Sequence, residues 1–241
     1  MAETRTAAVV LAAGKGTRMK TDLPKVLHKL AGRPMIAHVI ANLAPLGCER
    51  IVVVIGPGME GIAAAVAPHP TALQAEPLGT GHAVLAAREA LQGFAGDVLV
   101  VYGDCPFISG ATIGKLIARR RAPDHPAVVV LGMRPADPAQ YGRLIVGADG
   151  LLEAIVEYRD AGAEQRAITL CNSGVMAIDG KRLFALLDRV GNANAKGEYY
   201  LTDIVAIARA DGAACAVVEA PADELIGINS RAELAAAEAI L

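Results

Sequence analysis

Ala7-Ala8-Val9-Val10-Leu11-Ala12-Ala13-Gly14-Lys15-Gly16-Thr17-Arg18-Met19, with Pro24-Lys25 shortly after it, decides how this chain is read. The apolar run Ala7–Ala13 predicts a buried N-terminal strand. It ends in small residues and two glycines, which let a backbone approach a ligand closely. The free N–H groups of such a turn form a concave nest for an anion. Arg18 and Lys25 stand just beyond, where they can hold a polyphosphate. Two better-known phosphate loops do not fit. A dinucleotide fingerprint needs a third glycine where Met19 stands, and a Walker A loop needs Ser or Thr where Gly16 stands. A tight strand-to-helix turn with solvated charges explains the glycines, but not two cations at this spacing.

Outward from that stretch, strand-like and helix-like segments alternate. Strands are expected at Arg50–Ile55, Thr71–Gln74, Asp97–Tyr102 and Ala127–Met133. Helices are expected at Met35–Leu46, after Gly56-Pro57-Gly58, at Gly81–Leu91 and at Ala111–Arg121. Continuous apolar strands separated by helices imply an α/β fold with a mostly parallel sheet covered on both faces. Short right-handed crossovers make a doubly wound, Rossmann-like layout the simplest solution. After about Pro135 the pattern becomes strand-rich, with Tyr141–Val146, Leu152–Glu157 and Ile168–Ile178 separated by charged or glycine-bearing turns. A small peripheral lobe, about 136–178, is expected beside the main sheet of a single domain spanning 1–241. Helices return at Lys181–Val190 and Tyr200–Arg209, then a strand at Ala214–Glu219. Ser230 and Glu233 form a capping box for a last helix, Arg231–Ile240.

With 54% hydrophobic residues and no charge block, the chain is not disordered. Its apolar content is rich in alanine and valine and lacks tryptophan, which favours close-packed helices on a buried sheet. A net charge of −2 leaves no electrostatic footprint for nucleic acid. No segment approaches the roughly 20 apolar residues of a membrane span, and Glu3 and Arg5 do not suit a signal peptide. Cys48, Cys105, Cys171 and Cys215 are scattered without metal-type or redox-type pairing, as expected of reduced thiols in a cytoplasmic protein.

In an open parallel sheet, ligands gather at the carboxyl ends of the strands. Gln74 closes one strand, and its carboxamide offers a donor and an acceptor, matching the imide edge of a uracil. Asp104 follows Tyr102-Gly103 at the end of another, where a carboxylate can hold a hard cation such as magnesium or simply cap a turn. Tyr141-Gly142-Arg143 reads equally as a plain turn. Asn172 suits an N-acetyl or hydroxyl group, or a turn. With Ser230 and Glu233 satisfying the last helix start, Asn229 is left to face a ligand. His82 is expected to pack at a helix start.

Leu11-Ala-Ala-Gly-Lys-Gly-Thr-Arg18 with Pro24-Lys25 resembles the signature of sugar-1-phosphate nucleotidyltransferases. The extension Leu23-Pro-Lys-Val-Leu-His28 is most similar to bacterial N-acetylglucosamine-1-phosphate uridyltransferases. Further segments match in order: Gln74-Ala-Glu-Pro-Leu-Gly79-Thr80-Gly81, Tyr102-Gly103-Asp104, Tyr141-Gly142-Arg143, Val156-Glu157 to Ala161, Asn172-Ser173-Gly174, Gly197-Glu-Tyr-Tyr-Leu-Thr-Asp203 and Gly227-Ile-Asn229. Two departures are Arg159, where the family has lysine, and Ser173, where it has threonine. The resemblance implies a nucleotide-diphospho-sugar transferase fold with Arg18 and Lys25 as catalytic residues. It implies substrate contacts from Leu11, Ala12, Ala13, Gly14, Gln74, Gly79, Thr80, Tyr102, Gly103, Gly142, Glu157, Asn172 and Asn229. Asp104 and Asn229 would hold Mg2+. The implied reaction joins UTP and N-acetylglucosamine 1-phosphate, releasing pyrophosphate.

Two rivals remain beside this reading. One is another nucleotidyltransferase, such as a molybdenum-cofactor guanylyltransferase; the other is a non-catalytic nucleotide-sugar module, which would be expected to lose Arg18, Lys25 or Asp104. Relatives in the family usually continue into a β-helix of hexapeptide repeats with acetyltransferase activity, and no such pattern occurs here. A monomer or weak dimer without acetyl transfer is therefore expected, with small-molecule substrates and no nucleic-acid or membrane partner.

Overall fold

The structure, a computed structural model, describes residues 5–240; Glu3 lies outside them. The strands are β1 Thr6–Leu11, β2 Lys29–Leu30, β3 Arg33–Pro34, β4 Arg50–Ile55, β5 Thr71–Leu73, β6 Asp97–Tyr102, β7 Val128–Met133, β8 Arg143–Val146, β9 Leu152–Val156, β10 Cys171–Asp179 and β11 Cys215–Glu219. The helices are α1 Met35–Leu43, α2 Glu60–Val66, α3 Thr80–Ala86, α4 Gly110–Arg120, α5 Ala163–Arg166, α6 Gly180–Leu187, α7 Asp203–Ala210 and α8 Arg231–Glu238. A nine-stranded sheet runs in the order β11-β7-β10-β6-β1-β4-β5, with β8 pairing β10 and β9. β2 and β3 form a small separate ribbon.

β1 is buried along its whole length, and its two faces feed two different cores. Ala7, Val9 and Leu11 point toward α3, α6 and α7, where Val84, Leu183, Leu187, Ile204 and Val205 pack. Ala8 and Val10 point the other way, toward Ile36, Val39, Ile62, Ile113 and Leu116 of α1, α2 and α4. A strand with both faces covered has no use for polar alternation, which is why its sequence is a continuous apolar run. Parallel pairing of β1 with β4 and β6, and of β4 with β5, brings Leu11, Ile55, Leu73 and Tyr102 to one edge of the sheet.

The strand-rich stretch divides between the margin and the main sheet. β8 and β9 form an antiparallel hairpin at the margin, but β10 is laid into the main sheet between β6 and β7, antiparallel to both. The expected strand from Ile168 begins only at Cys171. Because β10 runs against β6, its first residues rather than its last meet the carboxyl edge of the parallel strands. Other differences are local. The helix expected over Gly81–Leu91 ends at Ala86 and continues as turns, and the segment after Leu43 is a short 3-10 turn containing Pro45. Pro45 supplies no backbone donor, consistent with the end of regular α-helix there.

Candidate functional site

A cavity of about 340 Å³ opens at the carboxyl edge, lined by residues that include Leu11, Ala12, Ala13, Gly14, Lys15, Lys25, Gln74, Gly79, Thr80, Tyr102, Asp104 and Glu198. This volume is in the range of small-molecule sites. The turn after β1 hangs from its neighbours: the Ala12 amide donates to the Val54 carbonyl at 2.8 Å, and the Gly103 amide to the Leu11 carbonyl at 3.0 Å. Gly16 has φ of 60°, and a Cβ there would stand 2.6 Å from the Lys25 Cβ. The glycine is needed for both backbone and space, and its absence of side chain lets Lys25 lie against the turn.

Lys25 is the centre of the charged end. Its Nζ contacts Asp104 Oδ2 and donates to Asn229 Oδ1 at 2.8 Å, although Asn229 is 204 residues away in sequence. Lys25 and Asp104 are largely buried, 14% and 13% exposed, so this pair is shielded from solvent far more than a surface ion pair. The two oxygens converge on one cation. Among the described residues no group of three or more His, Cys, Asp or Glu is arranged to hold a metal. One carboxylate and one amide oxygen suit Mg2+ nonetheless, because that ion commonly takes one or two protein oxygens and completes its shell with water and phosphate.

At the last helix, the Glu233 amide donates to Ser230 Oγ at 3.2 Å, as the capping box requires. The return bond is displaced by one residue: the Asn229 amide, not that of Ser230, donates to Glu233. That bond fixes the Asn229 backbone while its side chain reaches Lys25.

The other end of the cavity is a loop braced from far along the chain. The Tyr199 amide donates to the Leu78 carbonyl and the Gly81 amide to the Tyr199 carbonyl, both at 2.8 Å. The Leu201 amide donates to Thr80 Oγ1 at 3.0 Å. Gly79 has φ of 114°, and a Cβ there would lie 2.6 Å from the Tyr199 carbonyl oxygen. Thus the segment Gly197–Asp203 acts on the site through its backbone, and Thr80 is engaged in holding it. Gln74 is buried, and its Nε2 donates to the Gly79 carbonyl at 3.0 Å and to His82 Nδ1 at 3.2 Å. The donor half of its carboxamide therefore organises the loop, leaving Oε1 as the acceptor for a ligand. His82 has the packing place expected of it, tilted against Tyr199 with ring centroids 6.5 Å apart.

Gly142, Glu157 and Asn172 form a separate cluster that does not line this cavity. The Asn172 amide donates to the Gly142 carbonyl at 2.8 Å, and a Cβ on Gly142 would lie 3.5 Å from Glu157 Oε1. Asn172 Oδ1 accepts from the Gly174 amide at 2.9 Å, so the turn and binding readings of this residue divide between its two ends: Oδ1 makes the turn and Nδ2 is left. Ser173 is structural, its hydroxyl donating to the Leu131 carbonyl at 2.7 Å. Tyr102 joins the cluster to the cavity, since its ring packs on Gly174. Glu157 lines a second cavity of about 350 Å³ with Asp160, Tyr200 and Asp203. Burial pushes its carboxyl above the usual range, with Lys196 opposing and Asp160 and Asp203 adding to the rise. Burial, with Glu157 and Asp104 adding, keeps the Tyr102 phenol neutral far past its ordinary range.

Arg18 is exposed in the short 3-10 turn Thr17–Met19 and is not among the cavity-lining residues; Arg159 is exposed as well. Lys15 takes a place in the wall instead. Sequence reasoning passed over Lys15 and Glu198, and in both cases the signal was a charged residue inside a motif already singled out for its glycines or tyrosines.

Comparison with known proteins gives the chain a family. The profile of the MobA-like NTP transferase domain family matches residues 8–173. The chain belongs to that family. It is 68% identical over 238 residues to the bifunctional protein GlmU of Rhodospirillum rubrum, covering 99% of this chain and 53% of that protein. It is 61% identical to the bifunctional protein GlmU of Paramagnetospirillum magneticum, covering 100% of this chain and 54% of that protein. A GlmU of Rhizorhabdus wittichii is 55% identical over 97% of this chain and 52% of its own length. The chain thus spans about half the length of the curated relatives it matches. Among the described residues no helix is long and apolar enough to cross a membrane.

Proposed function

We propose that this chain transfers a uridylyl group from UTP to N-acetylglucosamine 1-phosphate. The observation that carries the reading is the meeting of Lys25, Asp104 and Asn229 at one end of a cavity whose other end is the Gln74–Thr80 loop. A charge-neutralising end and a base-sized polar end are what a nucleoside triphosphate requires. The matched GlmU relatives and the NTP transferase family support the same chemistry.

In this reading an oxygen of the sugar phosphate attacks the α-phosphorus, the α–β phosphoanhydride bond breaks, and pyrophosphate leaves with the bond's electrons. The nucleophile is already ionised at neutral pH, so the protein needs no general base; it must align and neutralise. The amides of the Ala12–Lys15 turn hold phosphate oxygens, and Lys25 stabilises charge at the reacting groups. Lys15, from the cavity wall, and Arg18, exposed on the same turn, take the leaving pyrophosphate. Gln74 Oε1 accepts from the imide N–H of uracil, while backbone groups of Ala12, Ala13 and Gly79 complete the edge. Gly142, Glu157 and Asn172 hold the sugar, Glu157 by accepting from hydroxyls and Asn172 Nδ2 by donating to the acetamido carbonyl. Asp104 and Asn229 would hold Mg2+, which supplies Lewis-acid neutralisation of phosphate charge when bound. A cytoplasmic location and a monomer or weak dimer accompany this proposal.

Pyrophosphate release, measured across the four nucleotides with several sugar 1-phosphates, tests it. The UTP and N-acetylglucosamine 1-phosphate pair is expected to be fastest and Mg2+-dependent. Equal or greater release with GTP and a pterin substrate would replace it with the other reading, which the name of the matched family keeps in view.

A further inference from the structure

Arg143 opens β8 immediately after Gly142 and is only 2% exposed. A guanidinium is charged at every accessible pH, and a buried one ordinarily meets a carboxylate. Among the described residues no ion pair involves Arg143. Its partners are main-chain carbonyls instead. Nη1 donates to the Tyr141 carbonyl in a short contact and Nε to the Arg166 carbonyl at 3.3 Å. Longer contacts reach the carbonyls of Ala139 at 3.4 Å and Pro138 at 3.5 Å. The ring of Tyr158 lies 5.7 Å from its guanidinium carbon.

The segment it clasps is not an easy one to hold. Ala139 has φ of 38°, in the left-handed region that a side chain disfavours, and its amide is tied to Asp137 Oδ1 at 2.8 Å. The same segment delivers Gly142, whose carbonyl accepts from the Asn172 amide and whose Cα faces Glu157. One side chain thus gathers the backbone from both sides of the cluster: residues 138–141 before it, and Arg166 on α5 beyond β9.

We propose that Arg143 is a positioning residue for the sugar phosphate, acting through the backbone of Gly142. The inference rests on the reading that Gly142, Glu157 and Asn172 receive the sugar. It concerns a residue that touches neither the nucleotide end nor the Lys25 cluster. Lysine keeps the charge but lacks the planar fork, so it holds one or two of these carbonyls and not the set.

The test uses the full chain with Arg143→Lys and Arg143→Gln. The KM for N-acetylglucosamine 1-phosphate is expected to rise roughly tenfold, the scale of one lost charge-assisted hydrogen bond. The KM for UTP is expected to stay within about twofold, since the Gln74–Thr80 loop is untouched. In direct titration the preference for UDP-N-acetylglucosamine over UDP should shrink by the same roughly tenfold factor. Equal shifts in both KM values, or an unchanged preference with only a lower melting temperature, would reduce Arg143 to an ordinary part of the fold. If neither variant folds, hydrogen exchange of the wild-type chain decides. UDP-N-acetylglucosamine should protect amides 139–142 more than UDP does, and equal protection overturns the inference. Failure of the wild type to release pyrophosphate from the proposed pair would be a different result, striking the functional reading itself.

Discussion

The two groups of residues proposed for the nucleotide and for the sugar are built in opposite ways. The end proposed for the nucleotide comes from loops that directly follow parallel strands, β1, β5 and β6, and leaves no room for an extra carbon at Gly16 or Gly79. The end proposed for the sugar comes from the start of β8, the residue after β9, and the start of β10, joined across an antiparallel insertion. In the first, backbone hydrogen bonds set the shape, with few side chains involved. In the second, the Asn172 backbone amide bonds the Gly142 carbonyl, the Glu157 carboxylate lies beside the Gly142 Cα, and a buried guanidinium replaces the support that regular strand ends give. The difference teaches that the nucleotide end should fail sharply when altered and the sugar end by degrees.

The largest effects are expected at the Lys25–Asp104–Asn229 cluster. Asp104→Ala should lower kcat by roughly 10²–10³-fold, the scale of a lost electrostatic stabiliser, and weaken Mn2+ binding in calorimetry. Lys25→Met should also cost turnover but have the opposite effect on the metal. Removing the ammonium that now occupies both oxygens should tighten Mn2+ binding in the absence of substrates. Equal Mn2+ affinity in all three proteins would separate the metal from this pair.

Next, Gly79→Ala places a carbon against the Tyr199 carbonyl at a positive φ. About 1–3 kcal/mol of strain is expected, read as a raised KM for UTP with little change for the sugar phosphate. A variant with both KM values intact would show that the brace from Gly197–Asp203 is not needed for nucleotide binding.

Gln74→Ala should be milder. It removes one acceptor and one loop contact, and about 1–2 kcal/mol of UTP binding is expected to go with them. Discrimination between UTP and CTP checks the direction, and unchanged discrimination would place base reading in the backbone alone.

The smallest effect sharpens the sugar end. Burial holds the Glu157 carboxyl above its ordinary range. A group with a raised folded pKa contributes stability below its unfolded value and loses that contribution as pH rises through the folded one. Glu157→Gln should therefore melt higher than the parent at about pH 8, with the gap closing toward about pH 4. It should also bind the sugar phosphate more weakly. An identical pair of melting curves across that range would mean that this carboxylate ionises without strain.

How much was legible beforehand follows the same division. β1, β4, β6 and β7 were readable because both faces are buried and their residues form unbroken apolar runs. Gly16 and Lys25 were visible as a motif because their contact is local, between residues close in the chain. β10 was readable as a strand but not as a member of the main sheet, since an apolar run carries no mark of which strands it will join. Arg143 and Glu198 were legible only as polar residues at turns.

By itself, then, the sequence determined the layers, the phosphate turn and the family. Periodicity and close-packed small residues are properties of neighbours in the chain. Only the tertiary structure decided that Asn229 and Asp104 share one lysine, that Tyr199 braces the Leu78–Gly81 loop through its backbone, and that Asn172 reaches the carboxyl edge of the parallel strands because β10 runs backwards. Those contacts join residues from more than 75 to 204 positions apart. Their geometry comes from sheet order and direction, which local spacing does not encode.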